Sequence, residues 1–212
     1  MKYTEIPLGM WLLFEKSFRE QLVSVLGYDK ATAKSASKTA KRKYKKIINT
    51  LPQFEKDDRF QVNIVSCAML ASFVLLMPVR PDVNKLADYY AKAMMTKPME
   101  WFCRQSGKKK FSECDRHEMR EAAAKRYADR NPYSWNMDYR EYADGSGYEG
   151  RFTKCGICTL MRELGLYDLT PALCRLDYTM SDAGGAADFV RKYTLASSGP
   201  YCDCGYKRKS AK

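Results

Sequence analysis

Apolar positions near the N-terminus fall at helical spacing. Trp11, Phe14, Phe18, Leu22 and Val25 recur at three- and four-residue steps and Gly27 ends the run, which predicts a long amphipathic helix. A second helix follows with a different balance. Ala33, Ala36, Ala40, Tyr44 and Ile47 form its apolar side, while Lys30, Lys34, Lys38, Lys41 and Lys45 form a cationic back. Val62 to Met77 is apolar almost throughout. It is shorter than the roughly 20 residues that span a bilayer and contains Asn63 and Ser66, so the pattern predicts a buried core helix. Pro78 and Pro81 end it, and Asp82 offers a cap for a helix with Val83, Leu86, Tyr90 and Ala93 on one side. Gly107 and the three lysines after it read as a loop, and Ser112 and Asp115 supply capping oxygens for the next helix. Up to Arg130 the chain is predicted to be almost wholly helical.

The pattern changes at Asn131-Pro132. Trp135 to Tyr142 alternate apolar and polar residues as a strand does, ADGSGYEG has turn chemistry, and GRFTKC starts a return strand. ICTLMRELGLYDL reads as a short helix stopped by Gly165, and Thr170 as the cap of a helix that starts at Pro171 and ends at Gly184-Gly185. AADFVRKYTLA and PYCDCGYKR alternate as two more strands, hinged at Ser197-Ser198-Gly199. The expected fold is α+β. A helical N-terminal part, residues 1–130, packs on a small four-stranded antiparallel sheet in a C-terminal part, residues 131–212, of order β-β-α-α-β-β.

Charge adds a partner class. The formal net charge is +12, which favours an anion, whether a small acid or a polyanion. Eight basic residues and no acid lie between Lys30 and Lys46. A solvated helix face is the plainer reading of that run, so nucleic acid is an alternative and not the expected partner. The N-terminus carries Glu5 and Glu15 and has neither the apolar run nor the cleavage site of an export signal. No membrane partner is expected, and a cytoplasmic location, where thiols stay reduced, is.

Five of the eight cysteines lie late in the chain: Cys155, Cys158, Cys174, Cys202 and Cys204. CGIC and CDC together would supply the four ligands of a structural zinc, but one residue between two ligands is tighter than the usual spacing. No cofactor and no metal is therefore expected, with zinc the alternative. His117, the one histidine, falls on a charged helix far from the cysteines and reads as a surface residue. Acid–base work would fall to Asp177, three residues after Cys174, and to Asp203 between two cysteines. On a helix Cys174 and Asp177 share a side; on a strand Asp203 points opposite to Cys202 and Cys204.

The segment TKCGICTLMRELGLYDLTPALCRLDYTM, followed by RKYTLASSGPYCDC, resembles the C-terminal signature of the L-2-amino-thiazoline-4-carboxylic acid hydrolase family. The matching positions are Cys155, Leu164-Gly165-Leu166, Cys174 with Asp177, Thr194-Leu195-Ala196, Gly199, and Cys202-Asp203. Cys204 and Gly205 depart from the family's pattern, and Cys158 lies outside it. The resemblance implies a hydrolase that opens a small cyclic isothiourea carboxylic acid to N-carbamoyl-L-cysteine. Asp177 and Asp203 are then the expected amidine anchor and base, and Arg175 or Arg191 the holder of the substrate carboxylate. Cys174 or Cys202 is the alternative nucleophile. Thr194 and Cys155 are expected among the substrate contacts. A non-catalytic ligand- or metal-binding module on the same fold is the competing reading.

Overall fold

The computed structural model describes residues 1–209. Six helices precede the sheet: α1 (Glu5–Ser24), α2 (Lys30–Thr50), α3 (Gln61–Val74), α4 (Val83–Met94), α5 (Lys97–Lys109) and α6 (Glu113–Arg126). Then come β1 (Asn136–Glu141), β2 (Gly147–Lys154), α7 (Gly156–Glu163), α8 (Thr170–Cys174), α9 (Leu176–Gly184), β3 (Ala187–Val190) and β4 (Cys202–Arg208). The sheet order is β1-β2-β4-β3 with every neighbour antiparallel. This is the expected helical region packed on a four-stranded antiparallel sheet with flanking helices.

Helix α3 is the hub because it is apolar on all sides, with every residue from Ile64 to Val74 buried. It packs against α1, α2 and α7. Phe73 stacks between Trp11 and Phe18, at 5.9 and 5.2 Å between ring centroids. Phe60, just before α3, stacks on Trp135 at 5.2 Å and meets the edge-on Phe152 of β2, which joins the helical region to the sheet. The lysines at 30, 34, 38 and 45 lie exposed along α2. Asp29 caps α2, Asp82 caps α4 and Ser112 caps α6, each accepting from backbone N–H groups of the first turn. No helix among the described residues is long and apolar enough to cross a membrane.

Five local expectations need correction. Gly107 and the first two lysines after it are not a loop, and only Lys110 lies beyond the helix. Helix α5 runs through Gly107 to Lys109 because α9 lies against it there: a Cβ on Gly107 would stand 2.0 Å from the Gly184 carbonyl oxygen. The helix expected from Pro171 to Gly184 is two. The Cys174 carbonyl accepts from Arg191 Nη1 at 2.9 Å, and the chain divides at Arg175. Thr170 is the first residue of α8, its hydroxyl buried without a partner among the described residues, and does not cap it. Strand β2 starts at Gly147, inside the predicted turn, whereas β3 stops at Val190 and leaves Thr194-Leu195-Ala196 outside the sheet. After Val190 side chains replace the ladder: Asp203 accepts from the N–H groups of Lys192 and Tyr193, and the Cys202 thiol from that of Leu195.

Candidate active site

The register of the last two strands builds the site. Val190 pairs with Gly205, so the next residue, Arg191, falls opposite Cys204. Its Nη2 lies 2.8 Å from Cys204 Sγ and 2.5 Å from Asp177 Oδ2, while Nη1 donates to the Cys174 carbonyl. Arg191 thereby ties the end of α8, the first turn of α9 and the middle of β4 together. Its side chain is only 6% exposed, and its Nε has no partner among the described residues.

Asp177 is the part of this cluster that a ligand can reach. Its side chain keeps 44% of its surface accessible although protein surrounds it, because it opens into a cavity. The cavity, about 160 Å³, lies between α5, α9 and β4, and its lining includes Cys103, Gly107, Lys110, Asp177, Ser181 and Tyr206. Burial pushes the Asp177 carboxyl above its ordinary range, while the Arg191 guanidinium pulls it down. Arg191 itself loses by burial but is held above its usual value, chiefly by the Asp177 carboxylate. No hydrogen bond among the described residues engages Asp177 Oδ1. A wider hollow of about 290 Å³ lies between α6 and β1, lined by Arg120, Tyr127 and Asp138 among others. None of its titratable lining residues is buried, which makes the smaller cavity the candidate site.

Tyr206, which lines the cavity, is the middle of an aromatic row on the sheet. Tyr148, Tyr206 and Phe189 sit directly opposite one another across β2, β4 and β3, with ring centroids 5.9 and 5.2 Å apart. The Lys110 ammonium rests 3.5 Å from the centre of the Tyr206 ring and 4.9 Å from that of Tyr148. Burial lowers Lys110 to about 8 against the pull of Asp115.

The thiols stand behind this arrangement. Cys202, Cys204 and Tyr206 alternate onto one side of β4, facing the helices. Burial raises Cys174 and Cys202, and raises Cys204 to about 12 despite the nearby guanidinium. Cys155, at the N-cap of α7, is also raised, first by its hydrogen bond with Cys158 and then by burial. Among the described residues no trio of His, Cys, Asp or Glu side chains could hold a metal ion. CGIC and CDC therefore do not converge on a zinc site.

The predicted positions thus separate into groups. Arg191 brings Asp177, Cys174 and Cys204 together, and Asp177 alone of the eight predicted positions lines the cavity. Asp203 faces the other side of β4 and fixes the loop after β3 through its two backbone contacts, at 2.9 and 2.6 Å. Arg175 is exposed and donates to Asn84 at 2.6 Å. Thr194 caps a short turn by accepting from the Ser197 N–H. His117 is exposed on α6. Lys110 and Tyr206 were missed. A helical reading of WFCRQSGKKK would have found the lysine, since Cys103, Gly107 and Lys110 share one side at four- and three-residue steps.

A carboxylate that is enclosed, tied to a buried guanidinium and still open to a small cavity is equipment for acid–base chemistry on a small ligand. The family model of the L-2-amino-thiazoline-4-carboxylic acid hydrolase matches residues 79–206. That is more than half of the chain, and the chain belongs to this family. The matched region contains Lys110, Asp177, Arg191 and Tyr206, and it supports a hydrolase of this general class. No curated protein and no solved structure matches the chain.

Proposed function

We propose that the protein hydrolyses a small cyclic amidine-like carboxylic acid, the nearest case being L-2-amino-thiazoline-4-carboxylate, with Asp177 as the residue that works on the ring. The observation that carries this reading is the Asp177 carboxylate, tied to Arg191 through one oxygen and open to the cavity. An amidine offers N–H donors that a carboxylate accepts, and a carboxylate raised by burial is a stronger base than a solvated one. Asp177 orients the ring and takes a proton from the attacking water. Water adds to the carbon held between two nitrogens and sulfur. As the carbon–sulfur bond breaks and the carbonyl forms, the remaining hydroxyl proton passes to the ring nitrogen, and the proton taken by Asp177 returns to the departing thiolate. The product is N-carbamoyl-L-cysteine. Arg191 fixes the carboxylate and moderates its basicity.

The state of the thiols favours this route over direct cysteine attack. A nucleophilic cysteine needs its thiolate, and burial holds Cys174, Cys202 and Cys204 in the neutral form at neutral pH. Asp203 takes a supporting role, because its two backbone contacts account for both of its oxygens. The test is turnover of L-2-amino-thiazoline-4-carboxylate by Asp177→Asn and Asp203→Asn. The expected result is a loss of at least about a hundredfold in the first, the low end of a general base's contribution, with the second within a few fold of wild type. Full activity in Asp177→Asn would sink the carboxylate mechanism.

A further inference from the structure

We infer that Lys110 is the anchor for the ligand's carboxylate, so that the α5–α9–β4 cavity selects acids over their neutral counterparts. The inference rests on the proposed hydrolysis only for the identity of the ring.

A small acid needs a cation where it binds, and the arginines expected to provide it are committed elsewhere. Arg175 lies on the surface with Asn84. Arg191 spends both terminal nitrogens on Asp177, Cys204 and the Cys174 carbonyl. Among the described residues that line the cavity, Lys110 is the one cation. Its ammonium makes no hydrogen bond and no ion pair with any described residue, although it is largely enclosed. The rings of Tyr206 and Tyr148 hold it in place without using its three N–H donors. A cation fixed in this way, with its donors unspent and a cavity beside it, suits a carboxylate.

The two charged groups that line the cavity are chemically distinct. Asp177 suits the cationic, N–H-bearing side of a ligand, and Lys110 suits the acid. A bifunctional molecule small enough for about 160 Å³ can satisfy both, and one with only one of the two groups satisfies half. The charged and titratable groups around Lys110 are Asp115 at the start of α6, Arg59 before α3, Tyr148 on β2 and Tyr206 on β4. Cys103 on α5 and Asp177 on α9 line the same cavity. Asp115 accepts from the Phe111 N–H at 2.7 Å and from the Tyr148 hydroxyl at 2.5 Å, both through Oδ2. It makes neither a hydrogen bond nor an ion pair with the ammonium, on which it acts only through its charge.

Binding of two fragments by calorimetry tests the inference: thiazole-4-carboxylate, which has no amidine, and 2-amino-2-thiazoline, which has no acid. Wild type is expected to bind the first at millimolar concentration. Lys110→Met should weaken it about ten- to a hundredfold, the worth of a charge-assisted hydrogen bond, and leave 2-amino-2-thiazoline unchanged, which also reports that the variant is folded. Lys110→Arg should restore most of the lost affinity. Because Lys110 titrates at about 8, wild-type affinity for the acid should fall above that pH while that of Lys110→Arg stays flat. Equal binding of the acid by wild type and Lys110→Met, or no binding by wild type, overturns the inference. Failure of the hydrolysis reading looks different: the intact amino-thiazoline acid is not turned over, yet thiazole-4-carboxylate still binds in a Lys110-dependent way.

Discussion

The molecule buries two arginines against carboxylates, and the two clusters differ in what surrounds the acids. Arg126, 4% exposed, meets Asp129 at 2.5 Å, Glu55 at 3.0 Å and Asp58 at 3.1 Å, and Asp58 and Asp129 are themselves 1% and 8% exposed. Those acids are further saturated, Asp58 by Ser134 and the Phe60 N–H, Asp129 by Lys154 and the Asn131 N–H. Arg191, 6% exposed, has one carboxylate partner, and that partner is 44% exposed to a cavity. Arg191 also leaves its Nε unpartnered. The two buried acids of the first cluster have nothing left to offer a ligand, and its third acid, Glu55, is 75% exposed and lines neither cavity. That cluster joins α6, the approach to α3 and the sheet. The second is incomplete, and its open carboxylate is the chemically available group. Burial of an ion pair is therefore not the mark of a site; unspent hydrogen-bonding capacity is.

Substitutions can break this contrast from either side. Asp177→Asn should remove the most, two or more orders of magnitude of turnover, while costing less stability than the equivalent change in the first cluster because water reaches the site. Arg126→Met should do the reverse. Leaving Asp58 and Asp129 buried without their cation should cost roughly 3–5 kcal/mol in a urea titration, with turnover per folded molecule within a few fold of wild type. Lys110 gives a smaller effect with a pH signature. Its folded value, about 8, lies below the 10.5 of the free side chain, so between these values the unfolded chain binds more protons and wild-type stability rises with pH. Lys110→Met should be the more stable protein at pH 7, by about 1–3 kcal/mol, and should lose that rise; a rise preserved in the variant would assign it to another group. Cys174→Ser should have the smallest effect on turnover, within a few fold. A thousandfold loss there would return the nucleophile to the thiol.

The helices were the more legible half of the fold because their cores repeat at three and four residues over long stretches, as from Trp11 to Leu22, or are apolar throughout, as in α3. The short C-terminal elements were read less well. The split between α8 and α9 depends on Arg191 reaching back to Cys174, and the early end of β3 depends on Asp203 and Cys202 taking the backbone donors of the next turn. Both are side-chain effects between residues seven or more apart, which no local pattern records. The site divides in the same way. Asp177 and Arg191 stood in a readable motif, but Lys110 is one of three consecutive lysines and only the packing of α5 on α9 turns it inward. Gly205, a departure from the family's pattern, has a local cause: a Cβ there would stand 2.8 Å from Val190 Cγ2 and 3.0 Å from the Val190 carbonyl oxygen on the paired strand.

The pH dependence of kcat tests the central claim most directly, since it reports groups in the enzyme–substrate complex. Asp177 works as a base only when ionised, and burial holds its proton on to higher pH than in a solvated aspartate. Wild-type kcat on L-2-amino-thiazoline-4-carboxylate should therefore fall on the acid side, through one ionisation above the ordinary aspartate range. The residual rate of Asp177→Asn should show no such limb. An acid limb that persists unchanged in Asp177→Asn would contradict the account.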